Sequence, residues 1–215
     1  MKEAVIFDLD GVIVSTDEYH YKAWKKLADE EDIYFDTQIN QKLRGVSRLE
    51  SLEIILKKTN KTYTEEEKEN LAQRKNNYYR ELLKSLNHED ILPGVLNVLD
   101  ALKEKRIKIA IGSSSKNTGT ILKKIGLDKI FNAVVDGNQI KNSKPDPEVF
   151  LLAAKALGVE PLKCVVIEDA DAGIKAALAA EMKAVAVGDA QSNMNSSYRL
   201  SDLTKIDINK LLEDG

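Results

Sequence analysis

Short apolar runs and long charged segments alternate along the chain. The first run, "AVIF" at residues 4–7, is too short for a helix and too continuously apolar for a half-wetted strand, so it predicts a strand covered on both faces, as in a parallel sheet. "IKIAI" (107–111), the short run around "AVVDG", "CVVIE" (164–168) and "AVAVG" (184–188) repeat that signature. Between them, helix-period stretches predict helices over 95–104, over 118–125 closed by Gly126, over 147–157 with Pro147 in the first turn, and over 171–180. Such alternation marks βαβ units.

Residues 15–90 depart from this pattern. "STDE" (Ser15, Glu18), "SRLE" (Ser47, Glu50) and "TEEE" (Thr64, Glu67) each fit a capping box. They predict helices over 17–30, 48–58 and 65–86, with another ending at Gly45, and no strand before about Asp90. The expected fold class is therefore α/β: a Rossmann-like parallel-sheet core made by residues 1–15 and 91–215, with a helical cap domain, 16–90, inserted after the first strand. Beyond Gly188 the pattern carries little information.

The chain's 215 residues suffice for one large domain with an insert. Lys and Arg number 32 against 35 Asp and Glu, a net charge of -3 without a basic block, which argues against a nucleic-acid partner. The single cysteine, Cys164, lies inside "CVVIE" and reads as a buried small hydrophobe rather than a nucleophile. Asp8 interrupts the first apolar run too early for a signal peptide, and no segment approaches a membrane span. A soluble, cytoplasmic, monomeric protein is expected.

Candidate chemistry collects at the strand ends. Asp8 and Asp10 follow the first, Ser113 to Asn117 the second, Lys144 the third, and Glu168-Asp169 the fourth. Parallel strands share one carboxyl edge, so these groups converge on a single crevice. Asp10-Gly11 alone could merely be a strand-ending turn. Four acids so close repel one another unless a cation sits among them, and all-oxygen ligands suit Mg²⁺. Serine, lysine and free amides suit phosphate oxygens. The set reads as a phosphoryl-transfer site. Arg48 in the first turn of a helix opposes the macrodipole unless an anion binds there, with Ser47 and Ser51 beside it. His20 and Trp24 share a helix face with Leu27 and Ala28, which also suits simple core packing. Lys75 lies on the stripe of Leu71, Tyr78 and Leu82, where a snorkelling stem serves equally well.

"DLDG", the serine after the second strand, "SKPDP" and "EDADAG", in this order, resemble the four motifs of the haloacid dehalogenase superfamily. "DGVIVSTDEYHYKAW", "RGVSRLESL", "RKNNYY" and "SSSKN" resemble the cap and loop signatures of its sugar-phosphate mutases. Arg44 stands where Lys is frequent, and Ala170 where Ser is. The resemblance implies that Asp8 is a nucleophile and Asp10 the general acid/base. It implies Mg²⁺ on Asp8, the Asp10 carbonyl and Asp169, with Glu168 nearby, and the transferring phosphoryl on Ser113 and Lys144. Substrate would meet Trp24, Arg44, Gly45, Val46, Ser47, Arg48, Ser51, Lys75, Ser115, Lys116 and Asn117, while Thr16 and His20 couple cap closure to Asp10. The implied reaction interconverts β-glucose 1-phosphate and glucose 6-phosphate through glucose 1,6-bisphosphate. A phosphatase of the same superfamily is the alternative. A phosphoaspartate receiver module is a remote one, disfavoured by the helical insert.

Overall fold

The computed structural model describes residues 1–44 and 46–214. Its sheet has the order β3-β2-β1-β4-β5-β6, every neighbouring pair parallel. The strands are β1 (Ala4–Phe7), β2 (Lys108–Gly112), β3 (Ala133–Val135), β4 (Cys164–Glu168), β5 (Lys183–Ala186) and β6 (Tyr198–Arg199). Side chains alternate across this sheet. Val5 and Phe7 enter one core with Ile109, Ile111, Val165 and Ile167, while Ala4 and Ile6 enter the other with Ala110, Cys164 and Val166. Helices α5 (Val95–Glu104) and α6 (Thr118–Lys124) cover the first face; α7 (Glu148–Leu157) and α8 (Asp171–Ala179) cover the second. Phe7 and Ile6 are wholly buried, each contributing about 1.5–3 kcal/mol. Two covered faces explain the uninterrupted apolar runs.

Helices α1 (Asp17–Glu30), α2 (Thr37–Gln41), α3 (Arg48–Leu56) and α4 (Glu65–Leu82) lie between β1 and β2 in the chain. They bury their own cluster, built around Trp24, Leu27, Phe35, Leu52, Ile55 and Leu71. The two crossings between insert and sheet touch: Val14 bridges Ile91, and the Leu92 N–H donates to the Ile13 carbonyl at 2.9 Å.

Reciprocal capping boxes open α3 at Ser47 and α4 at Thr64, as expected. The box expected at Ser15 does not form. Thr16 is the N-cap of α1 and makes no side-chain cap bond, because its hydroxyl is committed to Asp10. The expected helix 65–86 ends at Leu82 and continues as a 3₁₀ turn, Leu83–Ser85. The helix end placed at Gly45 lies outside the described residues. Past Gly188 the chain adds β6 and a short helix, α9 (Ile208–Leu212), neither of which was expected.

Candidate active site

β1 occupies the middle of the sheet, where β2 and β4 flank it on either side. Asp8 therefore leaves the sheet between the ends of β2 and β4, where Ser113, Glu168 and Asp169 also emerge. Opposite stand residues of the insert. Together they enclose a cavity of about 1090 Å³, walled on the sheet side by Asp8, Asp10, Ser113, Lys144, Glu168 and Asp169.

Lys144 organises the floor. Its buried ammonium donates to Asp8 Oδ1 at 2.5 Å and Glu168 Oε1 at 2.6 Å. Burial by itself would lower the Lys144 pKa, but the charges of Asp8 and Glu168 outweigh it and hold the pKa above its ordinary value. The second Glu168 oxygen accepts the Ala170 N–H at 2.8 Å, so a backbone donor serves at the position where alanine replaces the frequent serine. Two glycines make room for these acids. A Cβ on Gly173 would lie 1.8 Å from Glu168 Oε1, and one on Gly11, at φ +82, would lie 2.0 Å from Asp169 Oδ2. From the sequence Gly11 reads only as part of a strand-ending turn, and Gly173, within "DAG", is not singled out.

Asp8, Glu168 and Asp169 bring carboxylate oxygens within 4.8 Å of one another. Burial first, then the neighbouring Glu168, Asp8 and Asp10, push the Asp169 carboxyl up to about 9. With Glu168 engaged by Lys144 and Ala170, the strain of crowding falls on Asp169. A dication would relieve it. An all-oxygen donor set fits Mg²⁺.

Asp10 is held away from this cluster. Its Oδ1 accepts the Thr16 N–H and its Oδ2 the Thr16 hydroxyl, both at 2.6 Å. Burial raises the Asp10 carboxyl to about 6, with the Thr16 bonds pulling the other way. Thr16 Oγ1 also lies 2.8 Å from the Tyr79 hydroxyl. Since Thr16 gives its one proton to Asp10, Tyr79 is the donor in that pair. A second line arrives through His20. Lys75 Nζ is 2.6 Å from His20 Nδ1, so the ring proton is assigned to Nε2, which faces Asp10 Oδ2 at 3.8 Å. Burial, then the charges of Lys75 and Arg48, push the His20 pKa well down, so the ring is neutral. Lys75 and Tyr79 are one turn apart on α4, as are Thr16 and His20 along the start of α1. Tyr79 went unnoticed because the stripe read on this helix ran through its neighbour Tyr78, whereas the buried face carries Tyr79.

Trp24, Arg44, Val46, Ser47, Arg48, Ser115 and Lys116 also line the cavity. Burial pushes the Arg48 guanidinium pKa down, as expected for a cation awaiting an anion. Four expected residues stand behind the wall instead. Thr16 holds Asp10, Lys75 holds His20, Ser51 is buried within the insert, and the Asn117 amide donates to Asn76 at 3.0 Å. The snorkelling reading of Lys75 fails, because its ammonium is buried over the Trp24 and Tyr79 rings at 4.7 and 4.8 Å. Gly45 lies outside the described residues.

An acidic cluster at the carboxyl edge of a parallel sheet, with a buried lysine and a helical insert after the first strand, is the framework of a phosphotransfer enzyme. Residues 2–181 match the haloacid dehalogenase-like hydrolase family, to which the chain belongs. Within it the likeness narrows to β-phosphoglucomutases. The enzyme of that name from Bacillus subtilis is 46% identical over 94% of this chain and 92% of its own length. The crystal structure of β-phosphoglucomutase from Clostridium difficile superposes with a TM-score of 0.93 at 43% identity, covering 98% of this chain and 95% of the other. A phosphorylated carbohydrates phosphatase from Thermotoga maritima is 34% identical over 85% of this chain and 83% of its own. Among the described residues no helix is long and apolar enough to cross a membrane.

Proposed function

We propose that the protein is a Mg²⁺-dependent β-phosphoglucomutase, interconverting β-glucose 1-phosphate and glucose 6-phosphate in the cytoplasm as a monomer, with glucose 1,6-bisphosphate as the exchanged intermediate. The observation that carries this reading is the tether of Asp10 to Thr16, at the start of the insert's first helix. A mutase must keep its phosphoaspartate from water while the bisphosphate turns round. An acid/base held by an element of the cap is idle until the cap repositions it, a gating use of a lid. On this reading residues 16–90 move as a cap over a catalytic core of 1–15 and 91–215.

In one half-reaction the sugar's 6-hydroxyl attacks the phosphoryl on Asp8 and gives its proton to Asp10, releasing the Asp8 carboxylate and forming the bisphosphate. After reorientation, Asp8 attacks the phosphorus at C1. The P–O bond to C1 breaks and Asp10 returns the proton to the departing oxygen. Ser113 and Lys144 bind the transferring phosphoryl oxygens, while Arg48 and Ser47 on the cap, with Ser115 and Lys116 on the core, take the distal phosphate. Asp8, Asp169 and the Asp10 carbonyl would hold Mg²⁺ with Glu168 beside them, and the ion supplies positive charge against the phosphoryl oxygens.

The test is one reaction read twice. With β-glucose 1-phosphate, Mg²⁺ and trace glucose 1,6-bisphosphate, glucose 6-phosphate should form in large excess over inorganic phosphate. Release mainly of inorganic phosphate would instead make the protein a phosphatase, the activity named for its Thermotoga relative.

A further inference from the structure

Arg44 follows α2 on the cavity rim, and its guanidinium is engaged on two sides. Nη2 donates to Asp17 Oδ2 at 2.9 Å and Nε reaches Asp17 Oδ1 at 3.4 Å, while Nη1 pairs with Asp189. Asp17 opens α1 and belongs to the insert. Asp189 belongs to the sheet layer, in the turn after β5, and a Cβ placed on its neighbour Gly188 would lie 4.0 Å from the Asp169 Cβ. One side chain thus joins the two parts of the molecule beside the acidic cluster. The guanidinium fork is rigid, so a carboxylate seated along one edge fixes the direction of the remaining N–H groups. Asp17 aims Arg44, and the contact with Asp189 then costs little additional side-chain ordering. Two further hydrogen bonds span the same gap: Ser143, next to Lys144, donates to the Glu50 carboxylate, and Asn117 donates to Asn76. The three cap contacts meet the loops after β5, β3 and β2 in turn.

We propose that the Arg44–Asp189 pair is a latch holding the helical insert over the sheet edge, with Asp17 orienting the arginine, so that Arg44 is a positioning residue rather than a ligand for the sugar phosphate. Asp189 is largely exposed, with 70% of its side-chain surface accessible. The latch is therefore weak and screened by salt. A weak latch suits a cap that must open for product to leave.

Asp189→Asn removes the charge and leaves the turn intact. Cys164 is buried and is the only cysteine, so dyes attached at Lys58→Cys on the insert and Lys155→Cys on α7 report the gap by energy transfer. In the unliganded protein, Asp189→Asn should raise the open-to-closed ratio about two- to fivefold, and 0.5 M NaCl should erase the difference. The KM for β-glucose 1-phosphate should rise by a similar factor with kcat little changed; this second readout rests on the mutase reading, whereas the first uses no substrate. In an Arg44→Gln background, Asp189→Asn should have no further effect on either. Energy transfer that is unchanged by Asp189→Asn overturns the latch, as does an Asp189 effect that persists undiminished without Arg44. If Arg44→Gln alone raises KM while Asp189→Asn is silent, Arg44 contacts the substrate instead.

Discussion

Asp169→Asn should make the metal-free protein more stable while destroying its response to Mg²⁺. In the folded chain the Asp169 carboxyl keeps its proton up to about 9 against an ordinary value of 3.8, whereas in the unfolded chain it ionises freely. A raised carboxyl costs nothing below pH 4, and the cost grows as pH rises above that value. At pH 7 it reaches about 4 kcal/mol at most, from roughly three units at 1.4 kcal/mol each. A buried amide recovers only part of this, since its own desolvation costs about 1–3 kcal/mol. The net gain is then on the order of 1–3 kcal/mol, or roughly 2–12 °C in Tm for a chain of this size. Scanning fluorimetry in EDTA should show the variant melting above wild type at pH 7 and losing that advantage at pH 4, where it melts at or below wild type. Adding Mg²⁺ should raise the Tm of wild type alone. A variant no more stable than wild type in EDTA at pH 7, or one that Mg²⁺ stabilises equally, would refute the claim that Asp169 bears the crowding a cation relieves.

Asp8→Asn should abolish turnover and the 80 Da phosphoenzyme adduct, about the mass of one phosphoryl group, in intact-mass spectra while leaving the protein folded, because Glu168 still pairs with Lys144; near-normal turnover would exclude Asp8 as the nucleophile. Arg48→Ala should weaken glucose 1,6-bisphosphate at least tenfold, the loss of a charge-assisted contact, with Tm within about 2 °C of wild type. A large fall in Tm with unchanged kinetics would make Arg48 structural. Tyr79→Phe removes the hydroxyl that donates to Thr16, at about 1 kcal/mol of stability, and should increase inorganic phosphate relative to glucose 6-phosphate several-fold. A shifted Tm with the product ratio unchanged would confine Tyr79 to packing.

The strands that face both cores were legible because nothing but a doubly covered sheet explains runs such as "CVVIE", and β4 begins and ends where that run does. The two-residue β6 lay hidden, since Tyr198 and Arg199 pair with β5 but carry no apolar run. Capping boxes located α3 and α4 because both bonds of each box are local. At Ser15 the same arithmetic misled, for Asp10 competes for the hydroxyl next door. The acids, Ser113 and Lys144 could be placed from strand ends alone. Tyr79, Asp189 and the two glycines could not, because their roles arise between segments that only folding brings together.

The insert leaves the sheet layer after Val14 and returns at Ile91, and these two strands of chain are bonded to each other. Paired crossings act as a single axle. A cap that swings about them would be restrained from sliding sideways or lifting off, and each of its residues would follow an arc whose length grows with distance from the axle. Thr16, beside the axle, turns more than it travels, which suits a group that must switch the direction in which a carboxylate points. Arg48 and Glu50, out on α3, would travel further, which on the mutase reading suits groups that must first admit the sugar phosphate and then close on it. On the mutase reading, one rotation would therefore produce a large displacement at the entrance and a small reorientation at the chemistry, with no separate device to synchronise them.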